Sequence, residues 1–171
     1  MGKLNSMKTL YLVRHAKSDW GNENLKDIDR PLNQRGYNDA YLLSKQFAKE
    51  HAHPQLVMTS TATRAYSTCT IFARALNYKE ENILLVPQIY EAPVDSILSS
   101  IAAIDDKTNS LMVFGHNPGF TDTFNTISDL DINDLPTCGI LGIKFDIKSW
   151  NEIYTKKGKA FLSLLPKNFR E

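Results

Sequence analysis

The sequence predicts an α/β fold, a three-layer α/β/α sandwich built around a mainly parallel central sheet. Four short apolar runs before residue 116 alternate with segments of helical periodicity. Strands that alternate with helices of this length are typical of βαβ units, whose parallel sheets are covered by helices on both faces. With 171 residues, the chain has the length of one domain, which we predict over 7–171, with residues 1–6 as a disordered N-terminal extension.

The predicted strands and helices follow each other in a regular order. Leu10–Val13 is a continuous apolar run, which indicates a strand buried on both faces. Asn33 is the expected N-cap of the first helix, and Asn117 followed by Pro118 predicts the cap and first turn of a fourth. The predicted strands are 10–13, 55–59, 83–86, 111–114, 140–145 and 160–165, and the first three helices are 34–51, 65–76 and 94–104.

Composition and charge exclude several classes of protein. Twenty Lys and Arg residues nearly balance nineteen Asp and Glu residues, which argues against a nucleic-acid binder or a polybasic membrane binder. No apolar run approaches the ~18 residues of a membrane span, and the first residues do not form a secretory signal. Cys69 and Cys138 are too few for a disulfide framework. We therefore expect a cytoplasmic protein without a membrane or nucleic-acid partner.

Basic and imidazole side chains occur where three of the predicted strands end. Arg14 and His15 follow the first strand, His116 follows the fourth, and Arg64 opens the helix after the second. In open α/β sheets, ligands bind beside the carboxyl ends of the strands. Arginine binds phosphoryl oxygens, a helix N-terminus adds backbone donors, and a neutral imidazole can attack phosphorus. The pattern therefore predicts a site for a phosphoryl group.

Five ordered blocks carry a resemblance to a known family. They are residues 12–18 with Arg14-His15-Ala16, 29–36, 60–68, 115–119 with Gly-His-Asn-Pro-Gly, and 135–139. Together they resemble the histidine phosphatase superfamily, also called the phosphoglycerate mutase-like family. The last two blocks resemble its SixA-type phosphohistidine phosphatase branch. The resemblance extends over nearly the whole chain and implies the phosphoglycerate mutase-like fold.

The resemblance implies a role for each of the four basic residues. His15 would be the nucleophile that becomes phosphorylated and is then hydrolysed, without a metal or other cofactor. Arg14, Arg64 and His116 would bind the phosphoryl group and neutralise its charge. Three such neighbours should disfavour protonation of His15, so that it stays a nucleophile near neutral pH.

A general acid is expected beyond the Arg64 block. The resemblance implies an acidic residue there that protonates the leaving group, and Glu91 is the first candidate, with Asp95 the second. Expulsion of an alkoxide requires an acid more than expulsion of an imidazole does. Glu91 should therefore be more important for phosphate esters than for phosphohistidine.

The chain departs from the family pattern at two positions. Residues 20–22 are Trp-Gly-Asn where other branches have Asn directly after Trp, and residues 60–61 are Ser-Thr instead of Ser-Pro. Ser18 and Asn117 are the candidates for compensating phosphate contacts. Arg30 either faces the substrate or forms a salt bridge.

Three functions remain open at this point. The first is hydrolysis of phosphohistidine on a protein, for example a histidine phosphotransfer domain, and the second is hydrolysis of a small phosphate ester. The third is a phosphate-binding module without turnover. Arg64 and His116 are 52 positions apart (116 − 64), and the predicted scaffold fills this interval. Little chain is left there to enclose a small substrate, which favours the first function.

Overall fold

A computed structural model describes residues 7–170, so the predicted extension of residues 1–6 lies outside the described residues. The described chain contains one central sheet, four α-helices and several short 3-10 turns. The strands are β1 (Met7–Arg14), β2 (Leu56–Thr59), β3 (Leu84–Leu85), β4 (Ser110–Gly115), β5 (Ile140–Asp146) and β6 (Lys159–Leu164). The helices are α1 (Gln34–Glu50), α2 (Thr63–Ala75), α3 (Val94–Ala102) and α4 (Gly119–Ile127).

The sheet has the strand order β3-β2-β4-β1-β5-β6. The first four strands in this order pair in parallel, whereas β5 is antiparallel to both β1 and β6. The two C-terminal strands, both predicted from the sequence, thus extend the parallel part of the sheet as an antiparallel pair. The predicted α/β fold with a mainly parallel sheet is confirmed.

Strand β1 lies inside the sheet, and its apolar run is buried on both faces. Leu10 and Leu12 belong to the core cluster that contains α3 and α4 residues. Tyr11 and Val13 point to the opposite face and join the cluster formed with α1 and α2. Because alternate residues of one strand enter two separate cores, the run has no polar position. The helices therefore form two layers, one on each face of the sheet.

The start of α1 lies against the loop that follows β1. The Asn33 side chain accepts a hydrogen bond from the Gly36 amide at 2.8 Å, which confirms the predicted N-cap. A Cβ atom on Gly36 would lie 2.1 Å from the Lys17 carbonyl oxygen, so only glycine fits at this position. This close packing fixes the loop that carries the candidate nucleophile.

Strand β3 is shorter than predicted. The sequence predicts a strand over 83–86, but only Leu84 and Leu85 pair with β2, and both are exposed. Two 3-10 turns, at 80–82 and 87–89, bracket the strand and leave it two residues long. It is an edge strand, and a short edge limits further strand pairing.

The predicted start of α4 is wrong by one residue. The helix begins at Gly119, and Pro118 occupies the cap position instead of the first turn. A Cβ on Gly119 would lie 2.3 Å from the Ala92 carbonyl oxygen, so the helix start is packed tightly against a neighbouring loop. The Asn117 side chain still accepts a hydrogen bond from the Thr121 amide. It therefore satisfies one helix amide from outside the cap position.

Both cysteines are buried free thiols, and burial raises the pKa of each. Cys69 lies on the buried face of α2, and Cys138 precedes β5 with a left-handed backbone, φ 62°. Within residues 7–170, no helix combines the length and the apolar character that a membrane crossing requires.

Candidate active site

Two neighbouring parallel strands bring the predicted histidines together. Arg14 at the end of β1 pairs with Gly115 at the end of β4, and the His15 amide donates to the Gly115 carbonyl at 3.0 Å. His15 and His116, the next residues along each strand, consequently lie with their ring centroids 5.2 Å apart. A cavity of about 550 Å³ opens at this edge of the sheet. Its lining residues are Arg14, His15, Lys17, Ser18, Trp20, Asp27, Arg30, Arg64, Tyr90, Glu91, Asn117 and Thr137.

His15 has the geometry of a neutral nucleophile. Its Nδ1 lies 2.7 Å from the Ala16 carbonyl oxygen, which can only accept, so Nδ1 carries the proton. The lone pair is then on Nε2. Burial, followed by the charges of Arg64, Arg14 and Arg30, lowers the pKa of His15 to about 4. The shift has the predicted direction, although burial rather than neighbouring charge is its largest cause.

His116 is also neutral, and one of its nitrogens has no partner. Its side chain is almost fully buried, and Nε2 lies 2.7 Å from the Ser60 hydroxyl oxygen. Nδ1 is buried without a hydrogen-bond partner, 3.7 Å from Glu91 Oε1. Burial is the main reason that the pKa of His116 falls to about 3, with smaller contributions from His15 and Arg64.

Arg64 lies in the first turn of α2 and is 2% exposed. Its two terminal nitrogens donate to the Asp27 carbonyl at 2.8 Å, to Asp27 Oδ2 at 3.1 Å and to Glu91 Oε1 at 2.7 Å. Its Nε is buried and has no partner. The guanidinium group is therefore held by carboxylates but keeps one donor available.

Arg14 is arranged in a similar way. Its Nη1 donates to the Leu135 carbonyl at 2.8 Å and lies 3.6 Å from Asp134, while its Nε is buried without a partner. Buried N–H groups in native proteins are almost always hydrogen-bonded. Two such N–H groups, on Arg14 and Arg64, are thus left without a partner, as is Nδ1 of His116, whose ring lies beside His15. Unpartnered donors of this kind suit an anionic ligand.

The Glu91 carboxylate lies next to both Arg64 and His116. Its Oε1 contacts Arg64 and is 3.7 Å from His116 Nδ1, while its side chain is 48% exposed. The backbone at Glu91 is left-handed, with φ 46°, which is uncommon for a residue other than glycine. Asp95 is exposed in the first turn of α3 and is not among the residues that line the cavity.

The structure places Ser18 and Asn117 at the cavity, each with partners of its own. The Ser18 hydroxyl accepts from Arg30 Nη1 at 2.8 Å. The Asn117 amide group donates to Asp134 Oδ1 and to the Leu135 carbonyl, both at 2.9 Å. Because these bonds use both amide protons, Asn117 must exchange one of them before it can donate to a phosphoryl group. Ser18 has no such restriction, since its hydroxyl proton remains available.

The backbone donors expected at the start of α4 are largely used within the protein. The Phe120 amide donates to the His116 carbonyl, and the Thr121 amide donates to the Asn117 side chain. The Asp122 amide donates to the Pro118 carbonyl. Three amides of this helix terminus are therefore already hydrogen-bonded within the protein, so side chains are the main candidates for anion binding.

Sequence reasoning missed Asp27 and Tyr90 as parts of the site. Asp27 accepts from the Tyr90 hydroxyl, from Arg30 Nε at 3.0 Å and from Arg64. The Tyr90 hydrogen bond is the main cause that lowers the pKa of Asp27 to about 2. The spacing of Asp27 and Arg30, three positions apart in a 3-10 turn, was the one local signal. Arg30 both forms this salt bridge and lines the cavity, beneath the Trp20 ring.

The charge of the cavity suits an anionic substrate. Its four cationic residues outnumber its two carboxylates, and His15, whose pKa is about 4, adds no charge at pH 7. His116 lies beside His15 and is not among the lining residues. No group of three or more His, Cys, Asp or Glu side chains within 7–170 is placed to hold a metal ion. The cations are Arg14, Lys17, Arg30 and Arg64, and the carboxylates are Asp27 and Glu91.

Sequence comparison connects the chain with one family. The family model for the histidine phosphatase superfamily, branch 1, matches residues 10–94. An uncharacterized chloroplastic protein of Arabidopsis thaliana is 29% identical over 168 residues, which cover 88% of this chain and 72% of the relative. The matched region includes the loop after β1 and the start of α2, and therefore His15 and Arg64.

Solved structures share the whole fold. A protein assigned as a SixA phosphohistidine phosphatase from Agrobacterium tumefaciens superposes with a TM-score of 0.80 and 28% identity, covering 93% of this chain and 98% of the other. A protein histidine phosphatase SixA in complex with tungstate has the same fold, with a TM-score of 0.81, 17% identity, and 95% and 99% coverage. This chain therefore belongs to the histidine phosphatase superfamily and resembles its SixA-type branch.

Proposed function

We propose that this phosphatase hydrolyses phosphohistidine carried by another protein, through a phosphorylated His15 intermediate. The observation that supports it is the presence of two partnerless buried N–H groups, on Arg14 and Arg64, and of the partnerless Nδ1 of His116, near the neutral imidazole of His15. The donors would bind the phosphoryl oxygens, and the imidazole would supply the attacking lone pair. Action in the cytoplasm is part of the proposal, since both cysteines are free and buried.

The reaction proceeds in two displacements at phosphorus. In the first, His15 Nε2 forms a bond to phosphorus while the bond to the substrate imidazole breaks, and the released nitrogen takes a proton from water. In the second, a water oxygen forms a bond to phosphorus while the bond from phosphorus to His15 Nε2 breaks. The water loses a proton, inorganic phosphate leaves, and Nε2 regains its lone pair. Arg14 and Arg64 offset the negative charge of the phosphoryl oxygens in both steps.

The surroundings of the cavity favour a protein substrate. The chain between Arg64 and His116 forms α2, β3, α3 and β4, and only Tyr90 and Glu91 from this interval line the cavity. The other lining residues lie outside the interval, at Arg64 itself or before it and after His116. A phosphorylated side chain on a protein surface can reach such an opening, whereas a mutase must shield its intermediate from water.

A small phosphate ester is the second candidate substrate, and the position of Glu91 favours it. Glu91 Oε1 lies beside Arg64 and His116, so a protonated Glu91 could donate to an ester oxygen as it leaves. An alkoxide is a poor leaving group and gains more from such an acid than an imidazole does. A strong dependence on Glu91 would therefore accompany an ester substrate.

Phosphate release tests the proposal directly. We would compare a phosphohistidine-bearing protein, such as a histidine phosphotransfer domain, with a panel of small phosphate esters, using the wild type and His15→Ala. The proposal predicts a large preference for phosphohistidine that the substitution abolishes. A preference for an ester would assign the chain to the small-molecule phosphatases. Phosphate binding without turnover of any substrate would indicate a binding module.

A further inference from the structure

We propose that Ser60 is a positioning residue that fixes neutral His116 in the tautomer with its proton on Nδ1. Ser60 directly follows β2 and is fully buried. Its backbone amide donates to the Phe114 carbonyl at 2.9 Å, which fixes it against the strand that ends before His116. Its hydroxyl oxygen lies 2.7 Å from His116 Nε2. The two residues thus meet because β2 and β4 are neighbours in the sheet.

The hydrogen bonds of the Ser60 hydroxyl determine which group donates. The hydroxyl oxygen already accepts a hydrogen bond from the Ala62 amide at 3.2 Å. Among residues 7–170, the only acceptor within hydrogen-bond distance of its proton is His116 Nε2. A buried hydroxyl proton without an acceptor costs roughly 1–3 kcal/mol. The hydroxyl is therefore expected to donate to Nε2, which must then carry the lone pair.

The tautomer of His116 with its proton on Nε2 is disfavoured at both ring nitrogens. With the proton on Nε2, the Ser60 hydroxyl proton would have no acceptor. The lone pair of Nδ1 would then be directed toward the negative Glu91 carboxylate, whose Oε1 is 3.7 Å away. With the proton on Nδ1, the same carboxylate faces a donor, and the Ser60 hydroxyl is satisfied.

This tautomer gives His116 a function that does not require a positive charge. Burial holds its pKa at about 3, so the imidazole carries a single proton near pH 7. Ser60 directs that proton to Nδ1, the buried nitrogen without a partner. His116 can therefore donate to a phosphoryl oxygen as a neutral group. Because no charge is added beside His15, the nucleophile also stays unprotonated.

The tautomer can be measured without any substrate. In wild-type protein labelled with ¹⁵N at histidine, at pH 7, we expect His116 to show a protonated Nδ1 and an unprotonated, hydrogen-bonded Nε2. In Ser60→Ala, the Nε2 resonance should move because its hydrogen-bond donor is lost. A wild-type spectrum with the proton on Nε2 would overturn the proposal, whether or not the variant folds.

The kinetic part of the test rests on the proposed phosphatase activity. We expect Ser60→Ala to lower kcat/KM about 10- to 100-fold, as for loss of one oriented donor. In a His116→Ala background, the same substitution should change kcat/KM less than about twofold, because Ser60 acts through His116. Ser60→Thr keeps the hydroxyl and should retain the wild-type ¹⁵N pattern and most of the activity.

Thr123→Val is the matched control for the loss of a buried hydroxyl. Thr123 lies in α4, and its hydroxyl is buried without a hydrogen-bond partner. Its removal should leave kcat/KM unchanged. Equal losses from Ser60→Ala with and without His116 would show a merely structural role and reject the proposal. If the wild type hydrolyses none of the substrates, the proposed function fails, but the ¹⁵N spectrum still decides the tautomer.

Discussion

In the proposed mechanism, His15 and His116 act as neutral rings, although arginines lie on several sides of them. Each ring has one nitrogen in a hydrogen bond with a fixed partner, the Ala16 carbonyl for His15 and the Ser60 hydroxyl for His116. The other nitrogen is then left for the substrate, as a lone pair on His15 and as a donor on His116. Arg64 supplies the permanent positive charge beside them.

We predict that His15 stays unprotonated well below the usual range of histidine. Its pKa is lowered from 6.5 to about 4, mainly because burial disfavours the charged ring. A ¹³C or ¹⁵N NMR titration should show His15 neutral at pH 5.5. Protonation of His15 near or above pH 6.5 would contradict a neutral nucleophile.

Glu91→Gln should separate two classes of substrate. The variant removes the acid beside Arg64 but keeps a similar shape. We expect kcat/KM for phosphate esters to fall roughly 100-fold, and for phosphohistidine less than about fivefold, because a leaving imidazole is easily protonated by water. Glu81→Gln, at an exposed carboxylate in a 3-10 turn, is the matched control. Equal losses on both substrates would exclude Glu91 as the general acid.

The loop after β1 and helix α2 set the distance between His15, the proposed nucleophile, and Arg64. One hydroxyl joins the loop after β1 to α2, since Thr68 accepts from the Ala16 amide at 3.0 Å and donates to the Arg64 carbonyl at 2.8 Å. Thr68 is fully buried. It therefore couples the residue next to His15 to the backbone of Arg64 without touching the cavity.

Thr68→Val should lower activity by moving these two elements relative to each other. The variant keeps the size of the side chain but leaves the buried Ala16 amide unpaired, which costs about 1–3 kcal/mol of unfolding free energy. We expect a roughly tenfold loss in kcat/KM, since small displacements reduce catalysis strongly. Thr70→Val, which removes a hydroxyl bonded only within α2, should retain activity. Similar activity in both variants would reject the coupling.

The strands and helices could be predicted where the hydrophobic pattern is regular. They were harder to predict where tertiary contacts determine where an element begins. The run at β1, the Asn33 cap and the presence of the second helix were predicted correctly, because each signal is local. The start of α4 was not, since Gly119 packs against the Ala92 carbonyl, which is distant in sequence. Asp27 was missed for the same reason, because its partners Arg64 and Tyr90 reach it only in the folded chain.

The whole molecule brings the site together through its strand order. Neighbouring β1 and β4 place His15 next to His116, and β2 on the other side of β4 leads to Ser60 and Arg64. The sequence identified the residues that follow the strands and predicted the edge where they meet. The strand order could not be predicted, because no local sequence pattern indicates which strands pair.

Stability should fall as the pH is lowered from about 6.5 to about 4. In the unfolded chain, His15 and His116 bind a proton near pH 6.5. In the folded chain, the pKa is about 4 for His15 and about 3 for His116. The unfolded state therefore binds more protons in this window and is favoured by acid. The low pKa of Asp27, about 2, affects the free energy of unfolding only at pH values below its ordinary pKa of 3.8.

Denaturant unfolding at pH 7 and pH 5 measures this effect. The loss of unfolding free energy between the two pH values should be smaller in His15→Ala than in the wild type, because one of the two histidine contributions is removed. His53→Ala, at an exposed histidine, should behave as the wild type. An identical loss in His15→Ala and the wild type would show that His15 titrates normally.

Trapping the phosphorylated enzyme tests the central claim most directly. The wild type would be mixed with a ³²P-labelled phosphohistidine protein, quenched in alkali within the first turnover, and digested for mass spectrometry. The account predicts an acid-labile, alkali-stable phosphoryl group on the peptide that contains His15, absent in His15→Ala. Rapid phosphate release by the wild type without such a label, together with an active His15→Ala, would contradict it.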